Sequence, residues 1–173
     1  MSLNPAVSAN DHSQGDAAAP LTLVEYGDYE CSYCGLAYPI VKEIQVAFGK
    51  QLRFVFRNFP LKEAHPHAEQ AAWLAEGAAA AGVFWPVHDL LYENQSRLKH
   101  TDLTRYGQAA GMSAEAIDAA LSGAFSDRVS NDFRSGVRSG VNGTPTFFIN
   151  GKRHNGSFEA AVLTDALQAA LGR

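Results

Sequence analysis

The two cysteines of the chain, Cys31 and Cys34, are separated by only two residues. A thiolate attacks disulfides, and a second thiol one helical turn away can take over the resulting mixed disulfide. The spacing therefore indicates paired redox chemistry rather than cross-links between distant loops. We expect Cys31 to be the nucleophile and Cys34, which should lie deeper, to be the resolving thiol. This reaction needs no cofactor.

Two cysteines can also form part of a metal site. Zinc prefers four ligands, and the chain has no second CxxC motif. His65 and His67 are the nearest additional candidates. We therefore expect no zinc site. An alternative function is a binding module in which the two thiolates hold a soft metal such as copper(I).

The cysteines lie at a predicted junction between a strand and a helix. Residues 21–26 are rich in β-favouring side chains, and residues 32–48 carry apolar residues at near-helical spacing. Residues 51–58 alternate apolar and polar side chains, which predicts a second strand. Strand, helix and strand form a right-handed parallel βαβ unit. Free amides and the positive dipole end at the start of the helix favour a thiolate at Cys31.

The middle of the chain predicts a helical region. Ala-rich sequence from about 67 to 140 favours four or five helices. The predicted helices are 68–81, 87–95, 102–111, 114–121 and 127–137. Thr101 and Ser113 are candidate N-cap residues, because each hydroxyl precedes a predicted helix.

The end of the chain predicts a hairpin and a helix. Residues 146–150 and 152–154 read as strands, with Asn150-Gly151 forming a type I′ turn between them. Residues 158–171 predict a final helix. The order is βαβ, helices, ββα. It predicts an α/β protein with a mixed sheet, helices on both faces and a helical insertion.

Four stretches of sequence resemble the DsbA-like branch of the thioredoxin superfamily. They are residues 23–34 around the cysteines, 56–61 (FRNFPL), 65–68 (HPHA) and 143–151 (GTPTFFING). The resemblance extends from about residue 11 to 171. It implies a thioredoxin fold in which residues 1–173 form one domain, with the helical insertion at about 62–140. We expect residues 1–12 to be flexible.

The resemblance also implies an activity and a site. DsbA-like proteins are thiol:disulfide oxidoreductases, so we expect protein or small-molecule thiols and disulfides as substrates and a redox partner that the sequence does not identify. In that family the equivalent of Pro145 is cis and packs against the CxxC motif. Thr144 would offer its backbone to an extended substrate, and Ser32 and Tyr33 are further candidate substrate-binding residues. An isomerase-like relative that uses glutathione is an alternative, since fold alone does not determine function.

One residue between the cysteines departs from the family pattern. Relatives usually have Pro after the first cysteine, whereas this chain has Ser32. The two intervening residues tune the pKa of the nucleophile and the redox potential of the pair. The sequence therefore leaves the direction of the reaction open.

Other polar and aromatic residues near the motif have two interpretations each. The resemblance implies that Glu25 is a buried acid beneath the cysteines, which would accept or pass the proton of Cys34. Strand alternation could equally point Glu25 to solvent or to a cation. We expect Asp28 and Glu30 to be solvated loop charges. Tyr29 and Tyr33 are candidates for an apolar docking rim.

The histidines and large apolar residues of the middle region also have candidate roles. His65 and His67 either border the site or belong to a surface loop. His88 is expected to be a hydrogen-bonded packing residue. A further set at helical spacing predicts core packing rather than a cofactor site: Trp73, Phe84, Trp85, Leu90, Leu91 and Tyr92.

Composition excludes several classes of function. A chain of 173 residues that is 46% hydrophobic fits one core, and its net charge of −4 provides no field for nucleic acid or anionic membranes. The longest apolar stretch, 78–85, is far shorter than the roughly 20 residues that cross a bilayer, which predicts a soluble protein without membrane insertion.

Residues 1–20 lack the features of an export signal, so the sequence as written predicts a cytoplasmic location. A periplasmic or extracytoplasmic location is the alternative if a signal was removed.

Overall fold

A five-stranded mixed sheet organises the molecule in this computed structural model, which describes residues 1–172. The strands are β1 (His12–Gln14), β2 (Leu21–Gly27), β3 (Leu52–Asn58), β4 (Thr146–Ile149) and β5 (Lys152–Arg153), in the order β1-β3-β2-β4-β5. β2 and β3 are parallel, and the other three pairings are antiparallel. The predicted mixed sheet is confirmed. β1 was not predicted, because its three residues, HSQ, are polar and have no strand-like alternation.

Seven helices accompany the sheet in the described part of the chain. They are α1 (Ser32–Phe48), α2 (Ala68–Ala80), α3 (Phe84–Glu93), α4 (His100–Ala109), α5 (Ala114–Leu121), α6 (Ser126–Arg138) and α7 (Ala160–Ala170). The five helices α2 to α6 lie between β3 and β4 and form the predicted helical insertion. Within residues 1–172, no helix combines the length and the apolar character needed to cross a membrane.

The two predicted helix caps have different outcomes. Ser113 caps α5 as expected, since its hydroxyl accepts a hydrogen bond from the amide of Ala116 at 3.1 Å. The prediction for Thr101 is wrong. The amides of Asp102 and Leu103 donate to the carbonyl of Lys99, so α4 starts before Thr101 and encloses it.

Alternating side chains of the strands divide the core into two parts. Leu21 and Leu23 of β2 face the larger part, which also contains Cys31 and Cys34. Tyr26 and its neighbours on the opposite face pack with apolar residues that include Phe133 of α6 in the smaller part. α1 and α7 contact each other and the sheet, whereas α6 contacts β3. Helices therefore cover both faces, as predicted.

Four residues of the predicted aromatic core lie in or against the larger part: Phe84, Trp85, Leu91 and Tyr92. Phe84, Leu91 and Tyr92 are buried, and Trp73, Trp85 and Leu90 are partly buried. His88 is also buried there, and its Nδ1 lies 3.0 Å from the hydroxyl of Tyr29. The interpretation of His88 as a hydrogen-bonded packing residue is confirmed.

The hairpin between β4 and β5 and the start of the chain meet at one edge of the sheet. Asn150 and Gly151 have positive φ angles of 48° and 77°, as a type I′ turn requires. The amide of Leu3 donates to the carbonyl of Gly151 at 2.8 Å, and the amide of Arg153 in β5 donates to the carbonyl of Met1 at 3.1 Å. Further along, the Arg57 guanidinium donates to the carbonyl of Pro5 at 3.0 Å. The segment 1–12, expected to be flexible, thus contacts both β5 and β3.

Candidate active site

Cys31 and Cys34 occupy the junction between β2 and the first turn of α1. Cys31 is the N-cap residue of α1, in an extended conformation, and is 5% exposed. Cys34 is one turn further along and is fully buried. Both are free thiols whose side chains hydrogen-bond to each other. The predicted pairing of a more accessible and a deeper thiol is what the structure shows.

The sulfur of Cys31 is stabilised as a thiolate. The hydrogen bond from Cys34 lowers the pKa of Cys31 most, and partial burial opposes it. The Thr144 side chain and the amides of Cys34 and Tyr33 lower it further. The resulting pKa is about 5, compared with an ordinary value of 9.0. Cys31 is therefore ionised at neutral pH and is able to attack a disulfide.

The environment of Cys34 has the opposite effect. Burial raises the pKa of Cys34 well above its ordinary value, and the hydrogen bond to Cys31 and the charge of Glu25 raise it further. Cys34 therefore keeps its proton while Cys31 is ionised. The two thiols, one helical turn apart, therefore differ in protonation: Cys31 is a thiolate and Cys34 a thiol.

The loop before β4 lies against Cys31. The Thr144–Pro145 peptide bond is cis. When protonated, the thiol of Cys31 can donate to the carbonyl of Thr144, which lies 3.4 Å from the sulfur. The structure thus brings Thr144 and Pro145 to the nucleophile, as the resemblance implied.

Glu25 lies in the middle of β2, with Phe56 of β3 and Phe147 of β4 as its neighbours in register. It shares a strand face with Leu23, so it faces the part of the core that contains both cysteines. The side chain is 2% exposed, and one carboxyl oxygen has no partner among the described residues. Burial, followed by the charge of Cys31, raises the pKa of Glu25 to about 8. The solvent-facing alternative for Glu25 is wrong.

Ser32 and Tyr33, between the cysteines, are both exposed. Tyr33 is 62% exposed on the first turn of α1, and Leu36 beside it is 61% exposed. Large apolar side chains next to a reactive thiol provide a surface that a substrate can cover. Tyr29 is different, because only 1% of it is exposed. The expectation that Tyr29 belongs to a docking rim is wrong: its ring packs against Phe56 and Tyr92 of the core.

Asp28 and Glu30 hold the loop before Cys31 to the loop after β3. The Asp28 carboxylate is buried and lies 2.7 Å from the Nδ1 atom of His65. Glu30 accepts a hydrogen bond from the amide of His67 at 2.6 Å and contacts the ring of the same residue at 2.7 Å. The prediction of solvated charges is wrong, because both carboxylates pair with histidines. His65 and His67 therefore border the site.

Gln95, which had no predicted role, also contacts the motif. Its side-chain amide donates to the carbonyls of Tyr29 and Cys31, both at 2.9 Å. The residue lies just beyond α3, 64 positions from Cys31. Such a contact leaves no local pattern in the sequence. Within residues 1–172, no group of three or more His, Cys, Asp or Glu side chains is arranged to hold a metal ion.

Comparison with curated proteins shows where this chain has relatives. A family model described as thioredoxin matches residues 8–169. The chain is 42% identical over 170 residues to the Na(+)/H(+) antiporter NhaA 1 of Mycobacterium sp. (strain KMS), covering 96% of this chain and 28% of that protein. It is 40% identical over 167 residues to the Na(+)/H(+) antiporter NhaA 3 of Salinispora tropica, covering 96% and 26%. The chain thus spans about a quarter of the length of these curated relatives.

Comparison with solved structures identifies the fold. A thioredoxin-like oxidoreductase from Silicibacter pomeroyi DSS-3 matches with a TM-score of 0.84 and 24% identity, covering 96% of this chain and 95% of the other. Oxidised BdbD from Bacillus subtilis matches with a TM-score of 0.85 and 22% identity over 94% of each chain. Wolbachia pipientis alpha-DsbA1 matches with a TM-score of 0.77 and 24% identity, covering 96% and 93%. The chain therefore belongs to the thioredoxin family and has the fold of its DsbA-like thiol-disulfide oxidoreductases.

Proposed function

We propose that this protein is a thiol:disulfide oxidoreductase that exchanges its Cys31–Cys34 pair with thiols and disulfides of proteins or small molecules. The observation that carries the proposal is the placement of two free thiols at the start of α1, Cys31 at the N-cap and Cys34 buried one turn further along. The lowered pKa of Cys31 and the raised pKa of Cys34 agree with it. A thiolate beside a more deeply buried, protonated thiol is the arrangement that the two steps of exchange require.

The reductive reaction proceeds in two exchanges. The Cys31 thiolate attacks a substrate disulfide, forming a mixed disulfide and releasing one substrate sulfur as a thiolate. Cys34 then loses its proton and attacks Cys31, which releases the second substrate sulfur. The substrate gains two electrons and the protein gains a Cys31–Cys34 disulfide. In the reverse direction the protein disulfide oxidises a substrate dithiol.

Glu25 is suited to accept the proton of Cys34 in the second exchange. The charge of the Cys31 thiolate helps to raise the pKa of Glu25. Formation of the mixed disulfide removes that charge, so the carboxyl group becomes a stronger acid at the moment when a carboxylate acceptor is needed. Glu25 thereby couples the state of Cys31 to the deprotonation of Cys34.

The low pKa of Cys31 also bears on the direction of exchange. A stabilised thiolate favours the reduced dithiol over the disulfide, which makes the disulfide form a better oxidant. We therefore propose that the pair preferentially oxidises its substrates. Thr144 and Pro145 would align an extended substrate beside Cys31, and Ser32 and Tyr33 would contact its flanking residues. The antiporter names of the curated relatives belong to proteins about four times as long as the matched segment.

Three variants test the proposal. We expect Cys31→Ser to abolish both insulin reduction and dithiol oxidation. Cys34→Ser should retain the attack but accumulate the mixed disulfide with a substrate peptide, detectable by mass spectrometry. Ser122→Cys, which places a new thiol at an exposed site on the C-terminal side of α5, controls for nonspecific thiol chemistry. Full activity of Cys31→Ser would refute the proposal.

Equilibration with glutathione and a copper titration separate the alternatives. An oxidising pair stays largely reduced in a glutathione buffer that oxidises thioredoxin-type pairs, because its reduction potential is higher. Turnover with glutathione by Cys34→Ser would indicate the isomerase-like alternative instead. Stoichiometric copper(I) that survives dialysis against a competing thiol would indicate the metal-binding alternative.

A further inference from the structure

Gln95 joins the helical insertion to the backbone of the reactive motif. It is the second residue after the end of α3, and its side chain is partly buried. One nitrogen, Nε2, lies 2.9 Å from the carbonyl oxygen of Tyr29 and 2.9 Å from that of Cys31. These two carbonyls bracket Glu30 and Cys31. The Gln95 side chain therefore hydrogen-bonds to the peptide group before this dipeptide and to the one after it.

The orientation of the Gln95 amide follows from its partners. Both acceptors are backbone carbonyls, which cannot donate, so only the NH₂ end of the amide can face them. Its oxygen then points to Gly35 in the first turn of α1. A Cβ atom at Gly35 would lie 1.9 Å from that oxygen. The absence of a side chain at Gly35 is thus what leaves room for the Gln95 amide.

We propose that Gln95 is a positioning residue for the nucleophile: its two hydrogen bonds hold the backbone of Cys31 so that the amides of Tyr33 and Cys34 face the sulfur. The inference rests on the proposed thiol–disulfide exchange and deepens it. Cys31 is in an extended conformation at the N-cap, with φ −72° and ψ 121°. The carbonyl of Cys31 also accepts the first helical hydrogen bond of α1, from the amide of Gly35 at 3.1 Å. Gln95 thereby binds the carbonyl of Cys31, at the point where the loop ends and α1 begins.

Two changes remove this contact by different routes. Gln95→Met keeps a side chain of similar length but has no donor. Gly35→Ala keeps Gln95 but places a methyl group where its oxygen lies, so the amide must move. Alanine is also the better helix former, so Gly35→Ala does not weaken α1 through intrinsic propensity. A shared effect of both changes on Cys31 is therefore not explained by a loss of helix stability.

The experiment measures the rate of Cys31 carboxamidomethylation by iodoacetamide as a function of pH, with peptide mapping to identify the modified thiol. We expect Gln95→Met and Gly35→Ala each to raise the midpoint of this pH profile by about one pH unit. Below the midpoint, each variant would then have roughly tenfold less Cys31 thiolate than the wild type. The double variant Gly35→Ala/Gln95→Ala should match Gln95→Ala alone, because both substitutions break the same contact. Gln108→Met, at an exposed position of α4, is the matched control and should titrate like the wild type.

The outcomes separate this inference from the proposed function. A low midpoint in the wild type that is unchanged in Gln95→Met and Gly35→Ala overturns the role of Gln95 and leaves the exchange activity standing. A wild type without a low midpoint overturns both. If Gly35→Ala raises the midpoint but keeps the wild-type melting temperature, the change is local to Cys31 and is not a general loss of stability. This result supports the proposal.

Discussion

The carboxylate of Asp28 lies 2.7 Å from Nδ1 of His65 and accepts a hydrogen bond from the amide of Leu61 at 2.8 Å. A single buried side chain thus connects the loop before Cys31 with the loop after β3. It also holds the imidazole of His65, whose pKa the charge of Cys31 helps to raise. The charge state of His65 and that of Cys31 should consequently depend on each other.

The pKa of His65 should report the state of Cys31. Burial lowers the pKa of His65, but the hydrogen bond and charge of Asp28, together with the charges of Cys31 and Glu30, outweigh it and raise the pKa overall. Cys31→Ser removes one of these charges, so we expect the pKa of His65 to fall. NMR titration of the imidazole resonances measures this shift. The exposed His100 is the internal reference, and equal His65 midpoints in both proteins would contradict the prediction.

Replacing Glu25 should increase stability and slow the reaction. The folded pKa of about 8 exceeds the ordinary 4.5, so the unfolded chain releases this proton first as the pH rises. The resulting destabilisation is absent below about pH 4.5 and grows up to about pH 8. Glu25→Gln should therefore raise the free energy of unfolding by about 3 kcal/mol at pH 7. Urea unfolding at several pH values measures this gain.

The same variant tests the proton transfer from Cys34. We expect Glu25→Gln to slow resolution of a preformed mixed disulfide by roughly 10²-fold or more, since a positioned acid or base typically contributes that much. Alkylation of Cys31 should still occur. Glu43→Gln, on the exposed side of α1, is the matched control. Resolution at the wild-type rate in Glu25→Gln would show that another group takes the proton.

Tyr33 should affect large substrates only. The side chain is 62% exposed, so Tyr33→Ala is expected to change the free energy of unfolding by less than about 0.5 kcal/mol. The KM for a protein substrate should rise about threefold to tenfold, because an apolar contact is lost. The rate with dithiothreitol should stay unchanged, since a small thiol does not reach the ring. Equal effects on both substrates would instead indicate a change at Cys31 itself.

Arg57 should control the start of the chain. It is 3% exposed and binds the carboxylate of Asp11 as well as the carbonyl of Pro5. Arg57→Met leaves a shielded carboxylate without its cation, which should cost about 3 kcal/mol or more. Limited proteolysis should then cut within residues 1–12 faster than in the wild type. Arg138→Met, at an exposed position, is the control. Equal cleavage rates in Arg57→Met and the wild type would show that residues 1–12 are flexible even with Arg57 present.

The ion pair of Asp11 with Arg57 should make the free energy of unfolding depend on pH in the acid range. Burial raises the pKa of Asp11, but Arg57 and neighbouring groups lower it below 3.8 overall. A lowered folded pKa contributes stability above the unfolded pKa, and this contribution is lost as the pH falls through the folded value. The wild type should therefore lose part of its stability below about pH 3.8, whereas Arg57→Met should lose less there.

Sequence reasoning succeeded where the information is local. The strand before the cysteines, α1 and the turn at Asn150-Gly151 each follow from side-chain periodicity or from residues that tolerate positive φ. It failed for contacts between distant segments. Asp28 meets His65 across 37 positions, and Gln95 meets Cys31 across 64. Nothing near Asp28 distinguishes a carboxylate that is solvated from one that is enclosed by a later loop.

The central place of β2 in the sheet has a consequence for partial unfolding. β2 is bonded along both edges, to β3 and β4, whereas the outermost strands β1 and β5 have three and two residues. Short edge strands open at low free-energy cost, while a strand with two neighbours exchanges its amide hydrogens only in larger openings. Opening of the short edge strands β1 and β5 should therefore leave Cys31 and Cys34 in their positions at the end of β2.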